Sequence, residues 1–164
     1  MQSIRHEFIL KIIKSAHNIL LLHGINLNIL GKRETKHYGV LTLQDLEIFT
    51  KNEAKKFGYK VTTYQSNYEG ALIDKLQTET KYSSGIIINA GAFTHYSYGL
   101  YDALLDTRLP VVEVHLSDID QREAWRKHSV ISPACIKVIK GKKEQGYKDA
   151  VHILIEYLQC ENNP

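Results

Sequence analysis

Two runs in this sequence, "NILLL" at 18–22 and "GIIIN" at 85–89, are apolar at consecutive positions instead of every second one. A strand with one wet face alternates apolar and polar residues, so a strand apolar throughout must be covered on both sides. Such strands need helices above and below them, and the rest of the chain supplies helical spacing in the right places. Three more strand-like runs follow the same vocabulary, "YKVTTYQ" at 59–65, "PVVEVHL" at 110–116 and "CIKVIK" at 135–140. Between the first two strands, Leu43, Leu46, Phe49 and Phe57 recur at helical spacing, with Thr42 placed to cap the start and Gly58 to stop the end. Leu72, Ile73 and Leu76 mark a second helix, Gly99 to Leu105 a short third, and "DQREAWRKHS" a fourth opening behind Asp118. Tyr147 to Leu158 closes the chain with a fifth. Alternating strands and helices predict an α/β doubly wound sandwich, whose commonest five-strand order is 2-1-3-4-5.

A chain of 164 residues is most simply one domain, here 18–160, behind an amphipathic helical extension over 1–17. The extension "SIRHEFILKIIKSAH" carries an apolar stripe interrupted by Lys11 and Lys14; Glu7 and the lack of a cleavage pattern argue against a basic targeting peptide. The formal net charge of +3 is too small, and the basic residues too dispersed, to argue for nucleic acid. No run is long enough to predict a membrane span. Cys135 and Cys160 form no CxxC pair, so idle thiols in a reducing cytoplasm are the expectation.

In open α/β sheets ligands bind beyond the carboxyl ends of the strands, where the strand order reverses. The order 2-1-3-4-5 puts that crevice between the first and third strands, beside the fourth. The unusual polar residues follow those three strands: "HGINLNILGKRETKHYG" after the first, "NAGAFTHYS" after the third and "EVHLSD" after the fourth. Each has a plain structural rival. Asn26 and Asn28 suit turns, because asparagine bonds its own backbone and tolerates the left-handed region. Asn89 ends a buried strand and serves equally as a cap or a ligand contact. His95 reads as solvated or functional. Glu113 says more: a carboxylate inside an apolar strand is costly unless paired, and His115 lies two positions on, on the same side of the strand. That pair suits general acid–base chemistry or, alternatively, a buried ion pair without catalytic task.

The loop after the first strand adds Arg33 and Tyr38. Tyrosine titrates near 10, and each unit of lowering needs about 1.4 kcal/mol of extra stabilisation of the phenolate. A permanent guanidinium can supply it. Gly31 and Gly39 bracket the segment as hinges would.

These segments, together with "YQSNYEGALIDKLQ", "VVEVHLSDIDQREAWRKHS" and "GY" at 146–147, resemble in order and spacing the signatures of type II 3-dehydroquinate dehydratases. The resemblance covers about 18 to 158. It implies a flavodoxin-like fold, a dodecamer built from trimers, and dehydration of 3-dehydroquinate to 3-dehydroshikimate in aromatic biosynthesis without metal or organic cofactor. It further implies that Tyr38 removes a C2 proton, Arg33 lowers its pKa, Asn26 stabilises an enolate through water, and His115 protonates the departing hydroxyl with Glu113 beside it. Asn89, His95, Leu116, Ser117 and Arg126 would hold the substrate, and Asp102 would reach across from a neighbouring subunit. The chain departs from the family at Ile25, Tyr101, Asp118, Lys137 and Lys143, the last two at positions usually glycine.

Two other readings fit parts of the sequence. One is a catalytically weak relative that binds a small molecule on the same scaffold. The other is a nucleotide or flavin module, disfavoured because the first strand–helix loop has neither GxGxxG nor a Ser/Thr-rich phosphate cradle.

Overall fold

The structure, a computed structural model, describes residues 17–32 and 40–162. The expected extension over 1–17 lies, apart from His17, outside the described residues, and so do Arg33, Tyr38 and Gly39. The strands are β1 (Asn18–His23), β2 (Lys60–Gln65), β3 (Gly85–Asn89), β4 (Val111–His115) and β5 (Lys137–Lys140). The longer helices are α1 (Leu43–Lys55), α2 (Glu69–Glu79), α3 (Tyr98–Thr107) and α4 (Lys143–Asn162). The strands form one sheet in the order β2-β1-β3-β4-β5, every neighbouring pair parallel, as the flavodoxin-like expectation required.

The unalternating runs are buried for the reason that made them conspicuous. Ile19, Leu21 and Ile87 face one core with Leu46 of α1 and Val151 and Leu154 of α4. Leu20, Leu22, Ile86 and Ile88 face the other, with Leu72 and Leu76 of α2 and Leu100 and Leu104 of α3. Thr42 caps α1 through a reciprocal box in which its hydroxyl accepts from the Asp45 amide and its own amide donates to the Asp45 carboxylate. Gly58, at φ 79, ends the excursion that follows α1.

One expected helix is absent. "DQREAWRKHS" forms two single 3-10 turns, Ile119–Gln121 and Ala124–Arg126, although Asp118 does cap the first of them by accepting from the Asp120 amide. Between Ile119 and Val130 the apolar residues are Ala124 and Trp125, adjacent in sequence, so no stripe at i, i+3, i+4 exists to dock a helix. Among the described residues no helix is long and apolar enough to cross a membrane.

The loops above the sheet are drawn together by a close approach. Gly24 donates its backbone N–H to the Asn89 carbonyl at 2.8 Å, and a Cβ there would lie 2.0 Å from the Ala90 oxygen. Only glycine fits. This contact fixes the loop after β1 against the loop after β3.

Candidate active site

A cleft opens at the carboxyl ends of β1, β3 and β4, where the strand order reverses. Asn26, Asn89, His95, His115, Leu116, Ser117 and Arg126 all line it. The cleft encloses about 90 Å³ and is partly open. Ile25, Leu27 and Ile119 add apolar wall.

Asn26 sits in the left-handed region at φ 65, and its backbone N–H donates to Asn67 Oδ1 at 2.8 Å. The turn reading of Asn26 therefore holds together with its place in the cleft, whereas Asn28 stays exposed and does not line it. Asn89 also combines both of its readings: it caps the loop by accepting from the Gly91 amide at 3.2 Å, and it lines the cleft.

His115 and Glu113 share one side of β4, and His115 Nε2 lies 2.7 Å from Glu113 Oε1. Glu113 is wholly buried behind the histidine and does not itself reach the cleft. Ser129 Oγ donates to the carboxylate, 2.9 Å from Oε1 and 3.0 Å from Oε2, and Thr94 Oγ1 donates to Oε1. Burial alone would raise the Glu113 pKa. The hydrogen bond and charge attraction of His115, with the hydroxyls of Thr94 and Ser129, outweigh it and hold the carboxyl below its ordinary range. An ionised carboxylate only accepts, so His115 Nε2 must carry hydrogen, leaving Nδ1 as the ring atom free to serve a ligand. Glu113 is poised to stabilise a doubly protonated imidazole.

His95 is oriented by a different partner. Its Nδ1 lies 2.7 Å from the His128 carbonyl, which can only accept, so Nδ1 bears the hydrogen and Nε2 remains an acceptor. Burial pulls the His95 pKa down, with the His128 carbonyl opposing, which favours this neutral form. Trp125 supports the same wall: its ring meets His95 edge-on at 5.3 Å and carries the Arg126 guanidinium 4.0 Å from its centroid. Arg126 Nε is 3.0 Å from Glu123 Oε2, yet the buried N–H is not aligned for a hydrogen bond. That contact is an ion pair by proximity only, and the fork keeps donors for a ligand.

Residue-by-residue reading missed three supporting groups. Thr94, Ser129 and Tyr147 all lie inside the quoted motifs, but their partners come from distant strands and nothing local marks them. Asp102 lies exposed on α3 and outside the cleft of its own chain. Asp118 uses its carboxylate as a cap.

Residues 17–155 match the family profile described as Dehydroquinase class II. The chain belongs to the type II dehydroquinase family. A 3-dehydroquinate dehydratase of Gloeothece citriformis is 47% identical over 148 residues, 90% of this chain and 97% of the relative. One of Bacillus mycoides is 48% identical over 141 residues, covering 86% and 97%. The crystal structure of the type II dehydroquinase from Butyrivibrio crossotus aligns at a TM-score of 0.82 and 41% identity, covering 84% of this chain and 97% of that one.

Proposed function

We propose that this dehydroquinase converts 3-dehydroquinate to 3-dehydroshikimate by anti elimination through an enolate, as a hydro-lyase of the shikimate pathway. The observation that carries the reading is the Glu113–His115 pair opening into a small cleft that also presents Asn26, Asn89, His95, Ser117 and Arg126.

The proposed chemistry joins those groups to Tyr38 and Arg33. Tyr38, made basic by the lowering of its pKa that Arg33 provides, takes the C2 proton, and the electron pair moves into the adjacent carbonyl to give the enolate. Asn26 stabilises that oxygen through water. His115, doubly protonated against ionised Glu113, gives a proton to the C1 hydroxyl as it leaves, and the collapsing enolate forms the conjugated enone. His95 Nε2 accepts from a ring hydroxyl, Arg126 donates to a distal oxygen, and the Leu116 and Ser117 amides with Asn89 hold the carboxylate end. No step calls for metal or organic cofactor. The reading places the enzyme in the cytoplasm, where the pathway's intermediates are small polar acids.

The same reading makes it a homo-oligomer, trimers gathered into a dodecamer. What supports this is α3, where Tyr98, Asp102 and Leu105 share one exposed helical face, an apolar pair flanking a carboxylate.

The test is incubation with 3-dehydroquinate while following the ultraviolet absorbance of the enone. Turnover that persists with chelator and borohydride, and that falls by about a hundredfold or more in both Tyr38→Phe and Arg33→Lys, is expected. Binding without turnover in the parent protein would favour the small-molecule binding relative instead.

A further inference from the structure

Tyr147 is fully buried at the start of α4, yet its hydroxyl is not idle: Asn89 Nδ2 donates to it at 2.8 Å across the sheet's carboxyl edge. Asn89 is the point where this contact meets the cleft. On the other side of the amide, the Gly91 backbone N–H, which can only donate, lies 3.2 Å from Oδ1. A flip of the amide would set N–H against N–H. Gly91 therefore decides which atom is oxygen, and the phenol decides the plane in which the nitrogen lies. One Nδ2 hydrogen is spent on Tyr147, and the other has no partner among the described residues, in a side chain that is 4% exposed.

The sequence pair Gly146-Tyr147 explains how the phenol gets there. A Cβ at Gly146 would sit 3.3 Å from Ile139 Cγ2, slightly tight, and 3.4 Å from Val114 Cγ1, at ordinary contact. Gly146 packs against β4 and β5, and Tyr147 next to it reaches Asn89. His23 then backs the ring, its centroid 5.8 Å away and its plane inclined by 27°.

We infer that Tyr147 is a positioning residue, which through Asn89 presents a single oriented N–H donor to a ligand oxygen in the cleft. It touches no substrate. The ligand oxygen it serves is a carboxylate or hydroxyl, because both accept and neither competes for the phenol. This inference rests on the dehydratase reading for its substrate, but the clamp itself does not.

The experiment is a double-substitution cycle in the full-length protein, with kcat and KM measured on 3-dehydroquinate for Tyr147→Phe, Asn89→Ala and the pair. Phenylalanine keeps the ring and removes the acceptor. Tyr147→Phe is expected to lower kcat/KM about tenfold, carried by KM. In the Asn89→Ala background the same change is expected to alter kcat/KM by less than about twofold. Equal losses in both backgrounds, or an unchanged KM in Tyr147→Phe, would show that the phenol only fills space. A second readout needs no turnover: in nitrogen-15-labelled parent protein one Asn89 side-chain amide hydrogen should exchange far more slowly than the other. Two fast-exchanging hydrogens would overturn the clamp even if Tyr147→Phe failed to fold. An inert parent protein with a protected amide hydrogen would instead sink the dehydratase reading and leave the clamp standing.

Discussion

At the scale of single residues, His23 is a costly side chain to bury. It is wholly buried at the end of β1, and neither ring nitrogen has a hydrogen-bond partner among the described residues. Burial pushes its pKa from 6.5 down to about 3. The imidazole is therefore neutral at working pH and lies against Tyr147 as an aromatic slab. The consequence for stability has a definite sign. A group whose folded pKa is depressed leaves the folded state unharmed above its unfolded pKa, and stability is lost as pH falls, because the unfolded chain takes up the proton first. The window runs from about 6.5 down to about 3. Above the carboxylate range, His23 should contribute a slope approaching about 1.4 kcal/mol per pH unit. Chemical denaturation between pH 6.5 and 5 should show that slope flattened in His23→Leu, whatever that variant does to stability at neutral pH. An identical slope in the parent and the variant would mean that the ring finds a proton-accepting partner when folded.

At the scale of elements, the crossover after β5 shows a residue in conflict with its backbone. Lys143 opens α4 at φ 49, in the left-handed region that costs a non-glycine residue about 1–2 kcal/mol. Its backbone N–H donates to the Leu116 carbonyl at 3.2 Å, so the geometry is fixed by the loop that carries the site. A cation at a helix N-terminus also opposes the dipole. Glycine would adopt this φ without strain. Lys143→Gly should stabilise the protein by about 0.5–1 kcal/mol after the loss of unfolded-state restriction, raising Tm by roughly 1–3 °C in calorimetry. A lowered Tm would show that the lysine side chain contributes something that offsets its strain.

The elements also mark how far the sequence could be read. The buried strands were legible because a two-sided strand has no reason to be polar, and the strand–helix alternation pointed to a doubly wound sheet, whose commonest five-strand order is the one observed. The span 119–130 was not, because its polar residues satisfy a helix-capping pattern while its apolar residues supply no stripe. At the cleft, His115 and the buried Glu113 behind it were legible from their parity on one strand. Tyr147, Thr94 and Ser129 were not, because each meets its partner across strands, and parity within one segment carries no information about that.

At the scale of the whole molecule, the cleft of one chain holds Asn26, Asn89, His95, His115, Ser117 and Arg126, but Asp102 stands apart on α3. The face it occupies has Tyr98 67% exposed and Leu105 46% exposed, an apolar surface that water does not favour. If a neighbouring copy covers that face and receives Asp102 into its own cleft, each site is divided between two chains. Complementation then follows from symmetry. In a cyclic assembly of equal parts Asp102→Asn and Tyr38→Phe, a site is whole when Tyr38 belongs to one subunit and Asp102 to the next. Random mixing makes about one site in four complete. Each variant alone should be nearly inactive, and dissociating and reassembling them together should restore about a quarter of the parent activity, with light scattering confirming the oligomer. Activity no greater than the sum of the separate variants, or a fully active Asp102→Asn, would confine the site to a single chain.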